Sequence, residues 1–230
     1  MICLDIEQGT LVWKLIRSGM PSASRFKEIN TEPKSKADKE AGVLSQTARS
    51  YMLELIAEIV TGKRVELFGK ALDWGTNNEK GAQVEYAFEQ GVTVDEVGIC
   101  IADSRLIGAS PDGFVGTDGG LEIKCPYNSA NHIATVISGE MPKEHMAQVQ
   151  GNMLVNDRLW WDFVSYDPRI EGKGRLFITR IQRDEEYIEK LQNKLDAFVI
   201  EMKRILKESF AIDWNGVDVE TILNQPEESK

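Results

Sequence analysis

The run Leu121-Glu122-Ile123-Lys124-Cys125-Pro126-Tyr127 opens on alternating apolar and charged residues, and the turn sequence Ser110-Pro111-Asp112-Gly113 stands just upstream. A strand repeats every two residues, so this run puts Glu122 and Lys124 on one face and turns Leu121 and Ile123 to the other. The glycine-rich residues between Gly113 and Gly120 then read as the loop of a β-hairpin. It begins with the apolar stretch from Arg105 to Ala109 and brings Asp112 back beside Glu122. Two carboxylates and a lysine would converge there. Carboxylate oxygens are the hard ligands Mg²⁺ prefers, and a lysine beside such an ion can stabilise charge or help deprotonate an attacking water. The Ile123 carbonyl would supply one more oxygen. The same short pattern also describes an ordinary turn followed by a strand with a solvated face.

At 230 residues and 42% hydrophobic content the chain is long enough for one domain with a sizeable core. No apolar run reaches membrane-spanning length, and the first residues do not resemble a secretory signal. Cys3, Cys100 and Cys125 are odd in number and far apart, which predicts reduced thiols of a cytosolic protein and excludes a four-cysteine iron–sulfur site. A net charge of −10 argues against a protein that coats nucleic acid through a basic exterior. It leaves room for a local basic channel beside a cluster of carboxylates.

The first third reads as helical: residues 9–16, a short helix over 26–29 capped by the serines at 22 and 24, and a strong amphipathic helix over 45–61 ended by Gly62. Residues 30–42, with Pro33 and several lysines, read as a mobile loop, and its charges together with Arg25 could meet DNA or simply be solvated. Another helix is expected over 77–90. Strands follow over 93–101, 105–109 and 121–125, then a helix over 143–155, strands over 159–165 and 176–181, and a long helix over 184–208. Trp160 and Trp161 are adjacent in a strand, so one should face the core and one outward. Residues 225–230 read as a frayed tail. The order fits an α/β (α+β) fold, a mixed central sheet flanked by helices.

Ser110-Pro-Asp112-Gly with Glu122-Ile-Lys124-Cys-Pro resembles the core of the PD-(D/E)XK nuclease superfamily. Four collinear segments narrow the resemblance to the phage λ exonuclease and YqaJ-type viral recombinase family. They are Trp13-Lys-Leu-Ile-Arg17-Ser-Gly19 with Ser22-Ala-Ser24, Trp74-Gly-Thr-Asn-Asn-Glu79, His145-Met-Ala-Gln148-Val-Gln150, and Tyr166-Asp-Pro-Arg169. The resemblance covers most of the chain and implies a restriction-endonuclease-like core over about 13–208 within a single domain.

By that resemblance Asp112, Glu122, Glu79 and the Ile123 carbonyl hold two Mg²⁺ ions, with Mn²⁺ as a substitute, Lys124 assists the attacking water, and Gln148 lies beside the metals. Arg17, Ser24, Ser110 and Gln148 match the family's pocket for a terminal 5′-phosphate. Taken singly, Ser24 is as well explained as a helix cap, and Arg17, Glu79 and Gln148 as surface polar residues. The family further implies 5′-to-3′ digestion of one strand of linear duplex DNA to 5′-mononucleotides, leaving a 3′ tail for recombination. It implies a ring-shaped homotrimer, a single-strand annealing protein as partner, and a phage or prophage protein in the cytoplasm of a bacterial host. Other activities on this core are an endonuclease, a helicase-coupled nuclease, or a noncatalytic module that binds DNA ends.

Overall fold

Among the described residues, 1–64 and 69–224 of a computed structural model, the strands fall into two sheets rather than one. β1 (Ile2–Leu4), β2 (Ile99–Ile101) and β3 (Gly108–Ala109) form a small antiparallel sheet in that order. β4 (Gly113–Val115), β5 (Gly119–Lys124), β6 (Trp160–Tyr166) and β7 (Leu176–Gln182) form a mixed sheet in which only β5 and β6 run parallel. α1 (Leu11–Arg17), α2 (Phe26–Ile29), α3 (Lys36–Glu40), α4 (Gln46–Thr61) and α5 (Lys70–Gln90) lie between β1 and β2. A parallel pair needs a long crossover, and α6 (Ser129–Ser138) with α7 (Met146–Asn156) provides it between β5 and β6. α8 (Glu185–Phe210) and α9 (Val219–Leu223) close the chain. The fold is mixed α/β with a helical N-terminal region, and among the described residues no helix is long and apolar enough to cross a membrane.

Periodicity and caps place the main helices. The Ser45 hydroxyl accepts the Ala48 amide at 3.1 Å to start α4, and Gly62, at φ 65°, ends it. Asp184 caps α8 through the Tyr187 amide at 3.0 Å. One face of each helix packs with α2 in a core of Phe26, Tyr51, Leu55, Leu195 and Phe198. Each such side chain contributes roughly 1.5–3 kcal/mol of burial. Trp161 is fully buried while Trp160 is partly exposed under Arg180, whose guanidinium lies 3.5 Å from its ring, as strand alternation requires.

Several expectations give way. Residues 30–42 are not a continuous loop: they hold α3, started by the Ser35 hydroxyl on the Asp38 amide. A five-residue helix with no buried side chain arises from capping, which an apolar period cannot register. α5 begins at Lys70, well before the expected residue 77; its first two turns carry exposed Ala71 and Leu72 with no buried stripe, which leaves no apolar period to read. The hairpin partner of β5 is β4, inside the glycine-rich stretch, while residues 105–109 contribute only β3, which belongs to the other sheet. The strand expected over 93–101 shrinks to β2. Residues 225–230 lie outside the described residues.

The cysteine reading is also overturned. Cys3 and Cys100 stand opposite each other in the β1–β2 register and are joined in a disulfide, which leaves Cys125 as a buried free thiol. Sequence separation of 97 residues hid a pairing that antiparallel register creates.

Candidate active site

β5 alternates as its sequence requires. Leu121 and Ile123 pack with Ala82 and Tyr86 of α5, while Glu122 turns toward α7. Glu122 is only 1% exposed, and a carboxylate so buried must be hydrogen-bonded to remain charged. Its Oε1 accepts from Lys124 Nζ and Gln148 Nε2, each at 2.5 Å, and its Oε2 accepts from Asn152 Nδ2 at 3.0 Å. Across the hairpin, the Asp112 amide donates to the Leu121 carbonyl at 3.2 Å, and Asp112 Oδ2 accepts the Ile123 amide at 2.5 Å. Asp112 is thereby returned beside Glu122, as expected, although by a shorter hairpin. Glu79 joins from α5. A cleft of about 490 Å³ opens over Glu79, Asp112 and Ile123, with Asp5, Glu7 and Glu96 on its walls.

The charges in this cluster act on one another. Burial raises the Asp112 pKa well above the usual carboxylate range, and the nearby charges of Glu122 and Glu79 raise it further. Burial raises Glu79 too, with Lys124 opposing and Glu122 adding to the shift. Burial works against the Lys124 ammonium, but Glu122 and Asp112 outweigh it and lift its pKa above the ordinary lysine value. Lys124 thus stands in the cluster as the cation paired with Glu122.

Among the described residues no three acidic, histidine or cysteine side chains stand close enough to hold a metal ion as they are placed. The donor chemistry nevertheless fits one. Three carboxylates that repel one another in a buried setting are the environment a hard divalent cation relieves, and the cleft gives access to two of them.

The second cluster surrounds Arg17, at the end of α1. Its Nη2 donates to Ser22 Oγ at 2.9 Å and Ser24 Oγ at 3.1 Å, its Nη1 reaches Ser110 Oγ at 3.5 Å, and its guanidinium lies 4.5 Å from the centre of the Trp13 ring. Neither serine caps the 3₁₀ turn over Ala23–Arg25, which starts without a side-chain cap, so both hydroxyls serve the arginine instead. Burial, with Arg64 assisting, lowers the Arg17 pKa to about 10. Its buried Nε has no hydrogen-bond partner among the described residues. A desolvated guanidinium with an unused donor, ringed by hydroxyls, is suited to a phosphate. Gly19 makes the turn possible: at φ 70° its missing Cβ would stand 2.3 Å from Ile59 Cγ1, and its amide donates to Glu58 Oε2 at 2.8 Å. The Gly108 amide bonded to the Pro21 carbonyl at 3.0 Å brings this turn against the segment leading to Ser110.

Chain order joins the two clusters, because Ser110 touches Arg17 and Asp112 lies two residues on. Gln148 belongs to the Glu122 cluster, to which it is bonded, and among the described residues no hydrogen bond links it to Arg17.

Comparison with known proteins follows the same lines. Residues 12–158 match a family described as the YqaJ-like viral recombinase domain. An alkaline exonuclease, LHK-Exo, from Laribacter hongkongensis is 35% identical, with a TM-score of 0.77 over 86% of this chain and 95% of its own. The chain belongs to the YqaJ-like viral recombinase family. LHK-Exo solved in complex with dAMP matches at 35% identity and TM-score 0.78, over 88% of this chain and 98% of that one. A phage-related exonuclease from Haemophilus somnus 129PT shares the fold at 23% identity and TM-score 0.66, over 82% and 96% of the two chains. No curated protein sequence matches.

Within this YqaJ-type chain some residues of the site escape sequence reading. Asn152 lies four residues beyond Gln148 on α7, a spacing that puts both amides on one helix face. Gln83 stands in the same relation to Glu79 on α5, and its Nε2 donates to the Asp112 carbonyl at 3.1 Å, tying the turn to that helix. Ser22 lies in the segment that carries the resemblance, which nevertheless assigns the pocket to Ser24 and leaves Ser22 out, although it accepts from Arg17 at 2.9 Å. The Tyr166-Asp-Pro-Arg169 segment proves to be a brace. Arg169 bonds Asp167 at 2.7 Å and the Tyr127 carbonyl at 3.0 Å, and it lies 4.2 Å from the Trp74 ring of α5. It thus couples the end of β5 to the helix that carries Glu79.

Proposed function

We propose that this protein is a divalent-metal-dependent exonuclease that digests one strand of linear double-stranded DNA in the 5′-to-3′ direction, releasing 5′-mononucleotides. The 3′ single-stranded tail left behind would serve annealing-driven recombination. One observation carries the reading: the Arg17 cluster and the carboxylate cluster share the segment from Ser110 to Asp112, so a group suited to a terminal phosphate sits beside a group suited to phosphodiester hydrolysis. Family membership supports it, as does a 35% identical relative that is named an exonuclease and has been solved with a mononucleotide.

Asp112, Glu122, Glu79 and the Ile123 carbonyl are the groups that would hold Mg²⁺ or Mn²⁺, and ions bound there supply a more acidic water and a counter-charge for the leaving 3′-oxygen. The chain's own groups do the rest. Lys124, as an ammonium, donates to a phosphate oxygen and offsets the charge that builds during in-line attack. Gln148 offers an amide that orients water. Arg17 presents its planar fork to the terminal phosphate while Ser22, Ser24 and Ser110 complete the oxygens' partners. A homotrimeric ring would keep the duplex enclosed between turnovers, and a single-strand annealing protein would receive the tail in the cytoplasm of a bacterial host.

The test offers the purified protein, with Mg²⁺, a linear duplex carrying a 5′-phosphate or a 5′-hydroxyl, together with closed circular DNA. Loss of one strand, faster from the phosphorylated end and with mononucleotide products, is expected. Cutting of the circle would make the protein an endonuclease instead. Binding of ends with no metal-dependent turnover would leave a noncatalytic end-binding module.

A further inference from the structure

Glu122 has three hydrogen-bond donors, and they differ in kind. Lys124 and Gln148 are partly exposed and both bond to Oε1, whereas Asn152 is 1% exposed and bonds alone to Oε2. The first two are placed to turn toward water or phosphate, and each such turn removes a donor from a carboxylate that has almost no access to solvent. Asn152 has no comparable freedom.

Its rigidity has a visible cause. α7 is seated against α2, where the missing side chain of Gly151 lets the Phe26 ring approach so closely that a Cβ would fall 2.4 Å from it. Asn156 Nδ2 donates to the Asn152 backbone carbonyl at 2.8 Å, and Val149 and Met153 on the same helix are fully buried. The Asn152 side chain thus projects from a closely packed stretch of helix.

We propose that Asn152 is a positioning residue that fixes the orientation of the Glu122 carboxylate for metal binding while Lys124 and Gln148 engage the substrate. It acts through Glu122 and touches neither DNA nor phosphate. The inference rests on the proposed metal-dependent reading of the site. Residues that orient a metal-binding side chain from behind typically affect metal affinity ten- to a hundredfold when removed.

Asn152→Leu keeps the branched shape and removes the donor, Asn152→Ser keeps a smaller donor, and Gln150→Leu on the same helix is a control for helix packing. Mn²⁺ binding to each protein is measured by calorimetry without DNA, and the Mg²⁺ dependence of strand loss is measured separately. The leucine variant is expected to bind Mn²⁺ ten- to a hundredfold more weakly and to need correspondingly more Mg²⁺, with the serine variant between it and the wild type. Gln150→Leu should lower thermal stability without moving the metal affinity. Leucine and wild-type proteins with equal Mn²⁺ affinity would overturn the role of Asn152. Equal losses in the Asn152→Leu and Gln150→Leu variants would reduce it to packing. If Asn152→Leu does not fold, the serine variant decides: wild-type affinity there also overturns the proposal. A wild-type protein that binds no Mn²⁺ and degrades no DNA would sink the functional reading itself, an outcome distinct from the others.

Discussion

Asp112, Glu122 and Lys124 are held by a strand and its hairpin partner, where backbone bonds fix every second side chain, whereas Arg17, Ser22, Ser24 and Ser110 meet where a left-handed glycine turn is bonded against another segment. The first cluster is negative and internally strained by like charges, with raised carboxylate pKa values. The second centres on one cation, whose pKa burial lowers. Lys124 offsets only part of the carboxylates' repulsion, which further cations would relieve, and the arginine keeps an unused donor for an anion. A metal-bound phosphate ester supplies both, which is why the two halves make chemical sense only together.

The sharpest way to separate them is to disable each in turn. Lys124→Ala should reduce the single-turnover rate of strand loss by roughly 10²–10⁴-fold on any 5′ end, because it removes charge stabilisation at the reacting phosphate. Arg17→Ala should act differently. Charge-assisted bonds of this kind are worth about 1.5–3 kcal/mol each, so the rate on a 5′-phosphorylated duplex should fall some ten- to a hundredfold and that on a 5′-hydroxyl duplex hardly at all. Arg17→Lys should not restore the preference, since an ammonium lacks the planar fork that meets two oxygens. Equal losses on both ends in the Arg17 variants would break the division of labour.

A third change tests the scaffold of the second cluster alone. Gly19→Ala would put a Cβ 2.3 Å from Ile59 Cγ1 at a backbone φ of 70°. It should destabilise the protein by about 1–3 kcal/mol in urea unfolding and weaken 5′-phosphate preference in the folded fraction. A stable variant with unchanged preference would mean that the turn does not set the Arg17 pocket.

The same contrast governs what could be read from the residues. Glu122, Lys124 and Asp112 were legible from alternation and a turn sequence, since a period of two leaves few ways to arrange them. Arg17 with Ser24 and Ser110 was legible only through resemblance, because no local rule predicts which side chains a glycine turn will bring together. Asn152 and Gln83 were within reach of helical spacing once Gln148 and Glu79 were known. The Cys3–Cys100 bond and α3 were not: one depends on strand register across 97 residues, the other on a cap without a buried face.

The smallest expected effect concerns the strain in the first cluster and can be measured without any DNA. Asp112 has a folded-state pKa above its unfolded value, so the neutral carboxyl is the form the metal-free fold favours. Its contribution to stability is fully present below the unfolded carboxylate pKa and is lost as pH rises through the raised folded value. The melting temperature of the metal-free protein should therefore fall over that interval as pH climbs toward neutrality. Asp112→Asn keeps an oxygen to accept the Ile123 amide but carries no charge, so its melting temperature should fall less, the remainder belonging to Glu79, whose pKa is also raised. At neutral pH the variant should be more stable than the wild type by about 0.5–2 kcal/mol, the range found when a functional residue is exchanged for a less strained one. Mg²⁺ should raise the melting temperature of the wild type and leave that of the variant nearly unchanged, because relief of carboxylate repulsion and metal binding are then the same event. A metal-free variant less stable than the wild type at neutral pH would show that the carboxylates are not in conflict, and the contrast between the two clusters would reduce to one of sign.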